Sequence, residues 1–114
     1  MVTYTIREQD TIQVLAVKDL LDETNNRQLL QLLQQKMLGG FNKFIVDLSS
    51  LDFMNSVGLN FLISVHTKSQ QSGGKMAVVN ANAQVTKLFE VTKLSPLFQF
   101  SPSVEAALKD FSQN

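Results

Sequence analysis

The sequence contains no cysteine. It therefore excludes disulfide bonds, thiolate metal sites and cysteine nucleophiles, and with them redox functions built on thiols. An excess of charge of either sign is also absent, because ten Lys and Arg side chains balance ten Asp and Glu side chains. Without a broad positive field, the chain is not expected to bind nucleic acid or an anionic membrane surface.

Long apolar segments are missing as well. No window of the sequence approaches the ~18 apolar residues that a membrane span needs. The first residues, MVTYTIREQD, lack the basic start and apolar core of a secretion signal. A cytoplasmic location is therefore the expectation.

What the chain does have is the composition of one globular domain. Its 114 residues include 44% hydrophobic and 18% charged side chains, which is too apolar for a disordered chain. A chain of this length buries roughly two-thirds of its unfolded surface in a single core. We therefore expect one domain over residues 1–114 that folds on its own.

The hydropathy pattern predicts that the fold begins with a hairpin. Apolar and polar residues alternate over residues 2–7, and residues 11–18 (TIQVLAVK) are more apolar and β-branched, so two antiparallel strands are expected around a turn at Gln9-Asp10. Asp22 is suited to cap a helix over residues 23–38, in which leucines recur at spacings of three and four.

Strands and helices alternate after this helix. The predicted elements are a strand over residues 44–48, a helix over 57–71, a strand over 75–79, a helix capped by Asn82, a strand over 97–100, and a final helix opened by Ser101-Pro102 with proline at its first position. The order ββαβαβαβα predicts an α/β fold, with a mixed and mostly parallel sheet of about five strands covered by about four helices. In such sheets, functional groups gather in the loops at the carboxyl ends of the strands.

The segment FMNSVGL, residues 53–59, lies in such a loop, directly after the central strand. Asn55 and Ser56 are both residue types that cap helices, and Gly58 is suited to close packing. The segment alone therefore has two interpretations: a helix cap, or a serine hydroxyl presented for modification. The two are compatible, because the free amides at a helix amino terminus are where a phosphate is accommodated.

The sequence shows no constellation of catalytic groups. His66 is the only histidine, and it falls about three turns beyond Ser56, roughly 15 Å away at the helical rise of about 1.5 Å per residue. It is too distant to be a base for that serine. Because it lies near an apolar helix face, a packed or half-exposed histidine is expected rather than a ligand. Gly39-Gly40 and Gly73-Gly74 follow helices rather than strands, which predicts helix ends and not a phosphate-binding loop.

An enzyme of the receiver type is the remaining catalytic alternative. Asp47 lies near the end of the central strand, as the phosphoacceptor of such a domain does. That site needs an acidic pair after the first strand to hold magnesium, and here the corresponding loop offers only Glu8 and Asp10 in a hairpin turn. We therefore expect no enzyme activity, no cofactor and no metal; rapid labelling of Asp47 by a small phosphodonor would revive the alternative.

Four features, in order along essentially the whole chain, make the sequence resemble a STAS domain of the anti-sigma-factor antagonist family. The order of elements agrees, and Leu21-Asp22 opens the first helix as the family's Leu-Asp does. Residues 46–48 (VDL) followed by residues 53–59 (FMNSVGL) resemble the family's hydrophobic-Asp-Leu and Met-Asp-Ser-Ser-Gly-Leu signature. Residues 88–94 (LFEVTKL) resemble the family's helix ending in Thr-Gly-Leu.

Three positions depart from the family pattern. Asn55 stands where the family has aspartate, Val57 where it has a second serine, and Lys93 where it commonly has glycine. The change at Asn55 removes a negative charge beside the serine. The serine hydroxyl itself is retained.

The resemblance implies a switch rather than a catalyst. It places Ser56 at the family's phosphorylated serine, with Asp22, Asp47, Asn55, Val57 and Gly58 as flanking or partner-binding residues. In the family, the unmodified protein binds an anti-sigma factor that is itself a GHKL-type serine kinase, and so releases the sigma factor. Phosphorylation ends this binding and a PP2C-type phosphatase restores it.

Two further expectations follow from the resemblance. The chain is expected to be a monomer or a weak dimer. The alternative function is that of an unphosphorylated accessory subunit of a transport or lipid-handling assembly, because some STAS relatives serve in transporters.

Overall fold

The computed structural model describes residues 3–112 and begins with the predicted hairpin. Strands β1 (Tyr4–Gln9) and β2 (Ile12–Val17) pair antiparallel, with Gln9 opposite Ile12. The two residues between them, Asp10 and Thr11, have φ of 52° and 70°, and positive φ at both central positions is typical of a type I′ loop. Thr11 thus belongs to the turn and not to the second strand, and β1 extends to Gln9; the predicted strand residue Val2 lies outside the described residues.

The remaining elements confirm the predicted order and form one α/β domain. They are α1 (Glu23–Leu38), β3 (Lys43–Asp47), α2 (Ser56–Gln71), β4 (Lys75–Val79), α3 (Ala83–Val91), a short 3₁₀ helix (Ser95–Leu97), β5 (Gln99–Ser101) and α4 (Val104–Ser112). The five strands lie in the order β1-β2-β3-β4-β5. Strands β2 to β5 run parallel, so the loops that follow β2, β3 and β4 meet at one edge of the sheet, here called the carboxyl edge. Within residues 3–112, none of the helices is both long and apolar enough to cross a bilayer.

The predicted boundaries near the end of the chain were wrong. Leu97 belongs to the 3₁₀ helix, and β5 continues to Ser101, which pairs with Val79. The final helix begins at Val104 rather than at Pro102, because the amide of Ala106 donates to Oγ of Ser103 at 3.1 Å. The side chain of Ser103 therefore caps α4.

Apolar side chains cover both faces of the central strands. Phe44 and Val46 of β3 face one cluster, while Ile45 faces the other. The larger cluster is formed with α1, α2 and α3, and the smaller one with α4 through Val104, Ala107 and Phe111. This arrangement explains why β3 is a continuous apolar run, since alternate residues are buried on opposite sides.

The glycine pairs end helices, as predicted. Gly40 and Gly73 have φ of 97° and 83°, a backbone region that other residues rarely occupy. Gly74 has a different role, because a Cβ atom there would overlap the backbone carbonyl of Asn42. The amide of Lys75 donates to that carbonyl at 3.0 Å, so the loop before β3 and the loop before β4 pack closely together.

Candidate functional site

The carboxyl edge of the sheet carries the segment that the sequence singled out. The β3–α2 loop, residues 48–55, connects the central strand to α2. Beside it lie the loop after β2, which leads into α1, and the loop after β4, which leads into α3. A shallow depression between the first two loops is lined by Lys18, Asp19, Leu21, Asp52 and Phe53.

Asn55, and not Ser56, caps helix α2. The backbone of Asn55 is extended, and its Oδ1 accepts a hydrogen bond of 3.0 Å from the amide of Val57. Its carbonyl accepts the first helical hydrogen bond, from Leu59 at 3.1 Å. The structure therefore assigns the capping interpretation to Asn55, and the amide side chain preserves the cap that an aspartate would also provide.

Ser56 is the first residue of α2 and is exposed. Its hydroxyl makes no hydrogen bond to any other residue of the described range 3–112. The side chain is thus presented to solvent at the amino end of a sixteen-residue helix, where free amides and the helix dipole favour negative charge.

Gly58 and Val57 connect this helix end to the interior. Gly58 is buried, and a Cβ atom there would overlap Cγ of Met54 and lie 3.2 Å from Cβ of Leu20. The glycine therefore permits Met54 and the loop before α1 to pack against the first turn of α2. Val57 is half-buried and lines a groove between α1 and α2 together with Leu30, among other residues.

Asp22 and Asp47 lie at the same edge, but their carboxylates have other partners than Ser56. Oδ1 of Asp22 caps α1 by accepting from the amide of Asn25 at 3.0 Å, as predicted. Oδ1 of Asp47 accepts from Nδ2 of Asn80 and from the amide of Ser49, each at 3.0 Å. Asp47 therefore ties the start of the β3–α2 loop to the loop after β4.

The sequence interpretation missed two residues of this site. Asn80 has φ of 60°, and the sequence offers no signal for its bond to Asp47 apart from a polar residue following the neighbouring strand. Phe53 is 58% exposed, although it stands in an apolar run. An aromatic ring of that exposure, in the loop that leads to Ser56, is a candidate for a contact with another protein.

His66 is packed, as expected. Its ring lies edge-on to Phe98 with the ring centroids 5.6 Å apart, and Phe98 contacts Phe89 in the same way at 5.3 Å. Its Nδ1 is buried and has no hydrogen-bond partner within residues 3–112. No group of three or more His, Cys, Asp or Glu side chains placed to hold a metal occurs in that range.

Comparisons with known proteins find a family model and named relatives that match most of the chain. A family model described as "STAS domain" matches residues 3–107. BtrV of Bordetella bronchiseptica, whose name describes an anti-sigma factor antagonist, is 24% identical over 107 residues, which cover 94% of this chain and 92% of BtrV.

Solved structures agree with the observed fold. TM1081 of Thermotoga maritima superposes with a TM-score of 0.85 at 19% identity, covering 94% of this chain and 92% of that protein. The anti-sigma factor antagonist SpoIIAA in its unphosphorylated form gives a TM-score of 0.83 at 17% identity, with 97% of each chain covered. The phosphorylated form of the Bacillus protein gives 0.74 at 17% identity, covering 95% of this chain and 98% of SpoIIAA. At these identities the likeness shows a shared fold.

Proposed function

We propose that this chain, which belongs to the STAS domain family since that family's model covers residues 3–107, is an anti-sigma factor antagonist switched by phosphorylation of Ser56. In the unmodified state it binds an anti-sigma factor that is also a GHKL-type serine kinase, and the sigma factor is released. Phosphorylation by that kinase ends the interaction, and a PP2C-type phosphatase reverses it. All of these partners act in the cytoplasm.

The observation that carries the proposal is the free hydroxyl of Ser56. Because Asn55 supplies the cap of α2, the serine is not needed to complete the helix. It is exposed, as a kinase substrate must be. The names of the relatives support the same function, and SpoIIAA is known in a phosphorylated form.

A phosphate at this position is compatible with the fold. It adds about 1.5 to 2 negative charges at neutral pH, and they lie at the positive end of the α2 dipole. The hydroxyl of Ser56 has no hydrogen bond to lose within the described residues. The switch therefore acts on the docking surface and leaves the folded structure as it is.

The effect on a partner is large because docking removes water from the modified side chain. A charge that is buried without a partner costs several kcal/mol, and each ~1.4 kcal/mol corresponds to a tenfold change in affinity. Phosphorylation is thus expected to weaken binding by a factor of about one hundred or more. Phe53, 58% exposed, and the Ser56 hydroxyl are assigned to the buried centre of this interface.

The other predicted residues have supporting roles in the proposal. Asn55 and Gly58 fix the first turn of α2, and Val57 contributes to the groove beside Ser56. Asp22 lies at the tip of the adjacent helix α1 and is assigned a contact with the kinase. Asp47 holds the β3–α2 loop through its bonds to Asn80 and Ser49.

The test is to incubate the protein with ATP and each GHKL-type serine kinase of the source organism, and to map phosphate by mass spectrometry. One kinase is expected to modify wild-type protein at Ser56 and to leave Ser56→Ala unmodified. Ser50→Ala is the matched control, because Ser50 is also exposed and lies in the β3–α2 loop just before Ser56. Two outcomes would contradict the proposal. One is phosphate found only at other residues, and the other is that none of these kinases forms a complex with the wild-type protein.

A further inference from the structure

Asn82 connects the β3–α2 loop to helix α3. Its Nδ2 donates to the carbonyl of Leu51 at 3.1 Å and to the carbonyl of Asp52 at 2.8 Å. Its Oδ1 accepts from the amide of Val85 at 2.8 Å and so caps α3. Both N–H groups and the oxygen of this one side chain are therefore used, and the two donors reach across about 30 residues of sequence.

These bonds act on the part of the loop that has no regular structure. Leu51 and Met54 are anchored by burial, at 2% and 8% exposure, whereas Phe53 between them is 58% exposed. The carbonyls of Leu51 and Asp52 are the backbone groups immediately before Phe53. Holding them fixes the path of the chain at the point where it turns outward.

We infer that Asn82 is the positioning residue of the docking surface: by holding the carbonyls of Leu51 and Asp52, it sets the direction of Phe53 and the approach to Ser56. The inference rests on the proposed function, because that proposal makes this loop a docking surface. Asp47 and Asn55 hold the two ends of the loop, and Asn82 holds its middle. Without Asn82, water replaces both donors and the loop occupies other conformations.

When a loop is in its binding conformation only part of the time, the apparent affinity equals the intrinsic affinity multiplied by the fraction of molecules in that conformation. Loss of the two donors is expected to reduce the binding-competent fraction about tenfold, the factor that corresponds to ~1.4 kcal/mol. Affinity for the kinase falls by the same factor. The rate of phosphoryl transfer within the formed complex is expected to stay unchanged, since Asn82 acts on binding and not on the reacting hydroxyl.

Asn82→Ser isolates the effect, because serine retains a cap acceptor for α3 but has no amide donors. Hydrogen exchange is measured at the amide of Leu51, which donates to the carbonyl of Leu48 at 3.0 Å. Exchange there is expected to become about tenfold faster relative to core strand β4, and the KM for the kinase to rise about tenfold at constant kcat.

Ser103→Ala is the matched control. It removes the cap of α4, which packs on the opposite face of the sheet, so it lowers stability without touching the loop. Exchange at Leu51 relative to β4, and the KM, are expected to stay at wild-type values in this variant.

The outcomes separate the inference from the proposed function. Unchanged exchange at Leu51 in Asn82→Ser overturns the inference, and so does faster exchange with an unchanged KM. If no GHKL-type kinase of the organism binds or phosphorylates the wild-type protein, the proposed function fails, while the exchange result still decides whether Asn82 holds the loop.

Discussion

Nδ2 of Asn80 donates a hydrogen bond of 3.0 Å to Oδ1 of Asp47, a residue 33 positions earlier in the chain. The same oxygen accepts from the amide of Ser49. Asp47 ends β3 and Asn80 follows β4, so this pair joins two crossover loops at the carboxyl edge. Because the β3–α2 loop joins Asp47 to Ser56 at the start of α2, the Asp47–Asn80 pair supports the candidate site.

Replacing Asp47 by alanine is expected to lower the free energy of unfolding by about 1–3 kcal/mol, because the half-buried amide of Asn80 loses its acceptor. Asp47→Asn keeps an acceptor oxygen and is expected to cost less than the alanine variant. Urea denaturation measures both. Asp52→Ala, at an exposed position in the β3–α2 loop, is expected to change stability by less than about 0.5 kcal/mol, and equal effects at the two positions would contradict the assignment.

Gly58→Ala is expected to destabilise the fold by about 1–3 kcal/mol, because the new methyl group would push against Met54 and Leu20 in a packed region. The new Cβ would lie 2.8 Å from Sδ of Met54 and 3.2 Å from Cβ of Leu20. Thermal unfolding measures the change. Gly39→Ala is the control, because its nearest contact is 3.4 Å away and its φ of −82° suits any residue; it should be neutral or slightly stabilising.

Lys93→Gly is expected to stabilise the protein by about 0.5–1 kcal/mol. Lys93 follows Thr92, the C-cap residue of α3, and has φ of 61°. Its amide donates to the carbonyl of Glu90, and the amide of Leu94 donates to the carbonyl of Phe89. This pattern is a Schellman motif, in which glycine avoids the cost of left-handed backbone.

The control for this variant is Lys87→Gly, because Lys87 lies in the middle of α3 and is exposed, as Lys93 is. Glycine inside a helix is expected to cost about 0.5–1 kcal/mol relative to other residues. Opposite signs for the two lysine positions in chemical denaturation would support the interpretation. Destabilisation by both substitutions would show that the side chain of Lys93 contributes more than its backbone conformation.

Thr11→Gly is expected to stabilise the β1–β2 hairpin by about 1 kcal/mol, because a β-branched residue is poorly suited to φ of 70°. Equilibrium unfolding and the exchange rates of hairpin amides measure the gain. Thr5→Gly changes the same residue type within β1, where glycine weakens a strand. A loss of stability at both positions would argue against the type I′ loop.

Ser56→Asp is expected to weaken binding of the partner kinase at least about tenfold, through one buried charge. The melting temperature should be unchanged or slightly higher, because a carboxylate is favourable in the first turn of α2. Isothermal titration measures the affinity. Gln70→Asp is the control: it adds the same charge at an exposed position at the other end of α2, so wild-type affinity is expected, and an equal loss for both variants would mean that position 56 is not special.

Sequence signals that involve only a few neighbouring residues were sufficient to predict most of the fold. The bounds of α1 were predicted correctly because Asp22 caps the helix, its leucines follow helical spacing, and glycines follow its end. Where two local signals compete, the prediction was wrong: Pro102 and Ser103 are both compatible with a helix start, and the hydrogen bond from Ala106 selects Ser103. The end of β5 depended on pairing with β4, which no local pattern records.

The candidate site divides in the same way. The sequence indicated a serine at the start of α2, and the exposed position of Ser56 agrees with that prediction. Its phosphorylation and the flanking roles stay predictions. Which residue caps α2 depended on the backbone conformation of Asn55 and its bond to Val57, and an Asn-Ser pair permits either choice.

By itself, then, the sequence determined the order of strands and helices, the burial of β3 on both faces, and the presence of a hydroxyl at the amino end of α2. Caps, turns and hydropathy periods are properties of neighbouring residues, so one sequence is enough to indicate them. Only the tertiary structure decided that Asp47 meets Asn80 and that Asn82 holds Leu51 and Asp52. Those contacts exist because β3 and β4 pair in parallel and bring their following loops together, a relationship between distant segments that no local pattern encodes.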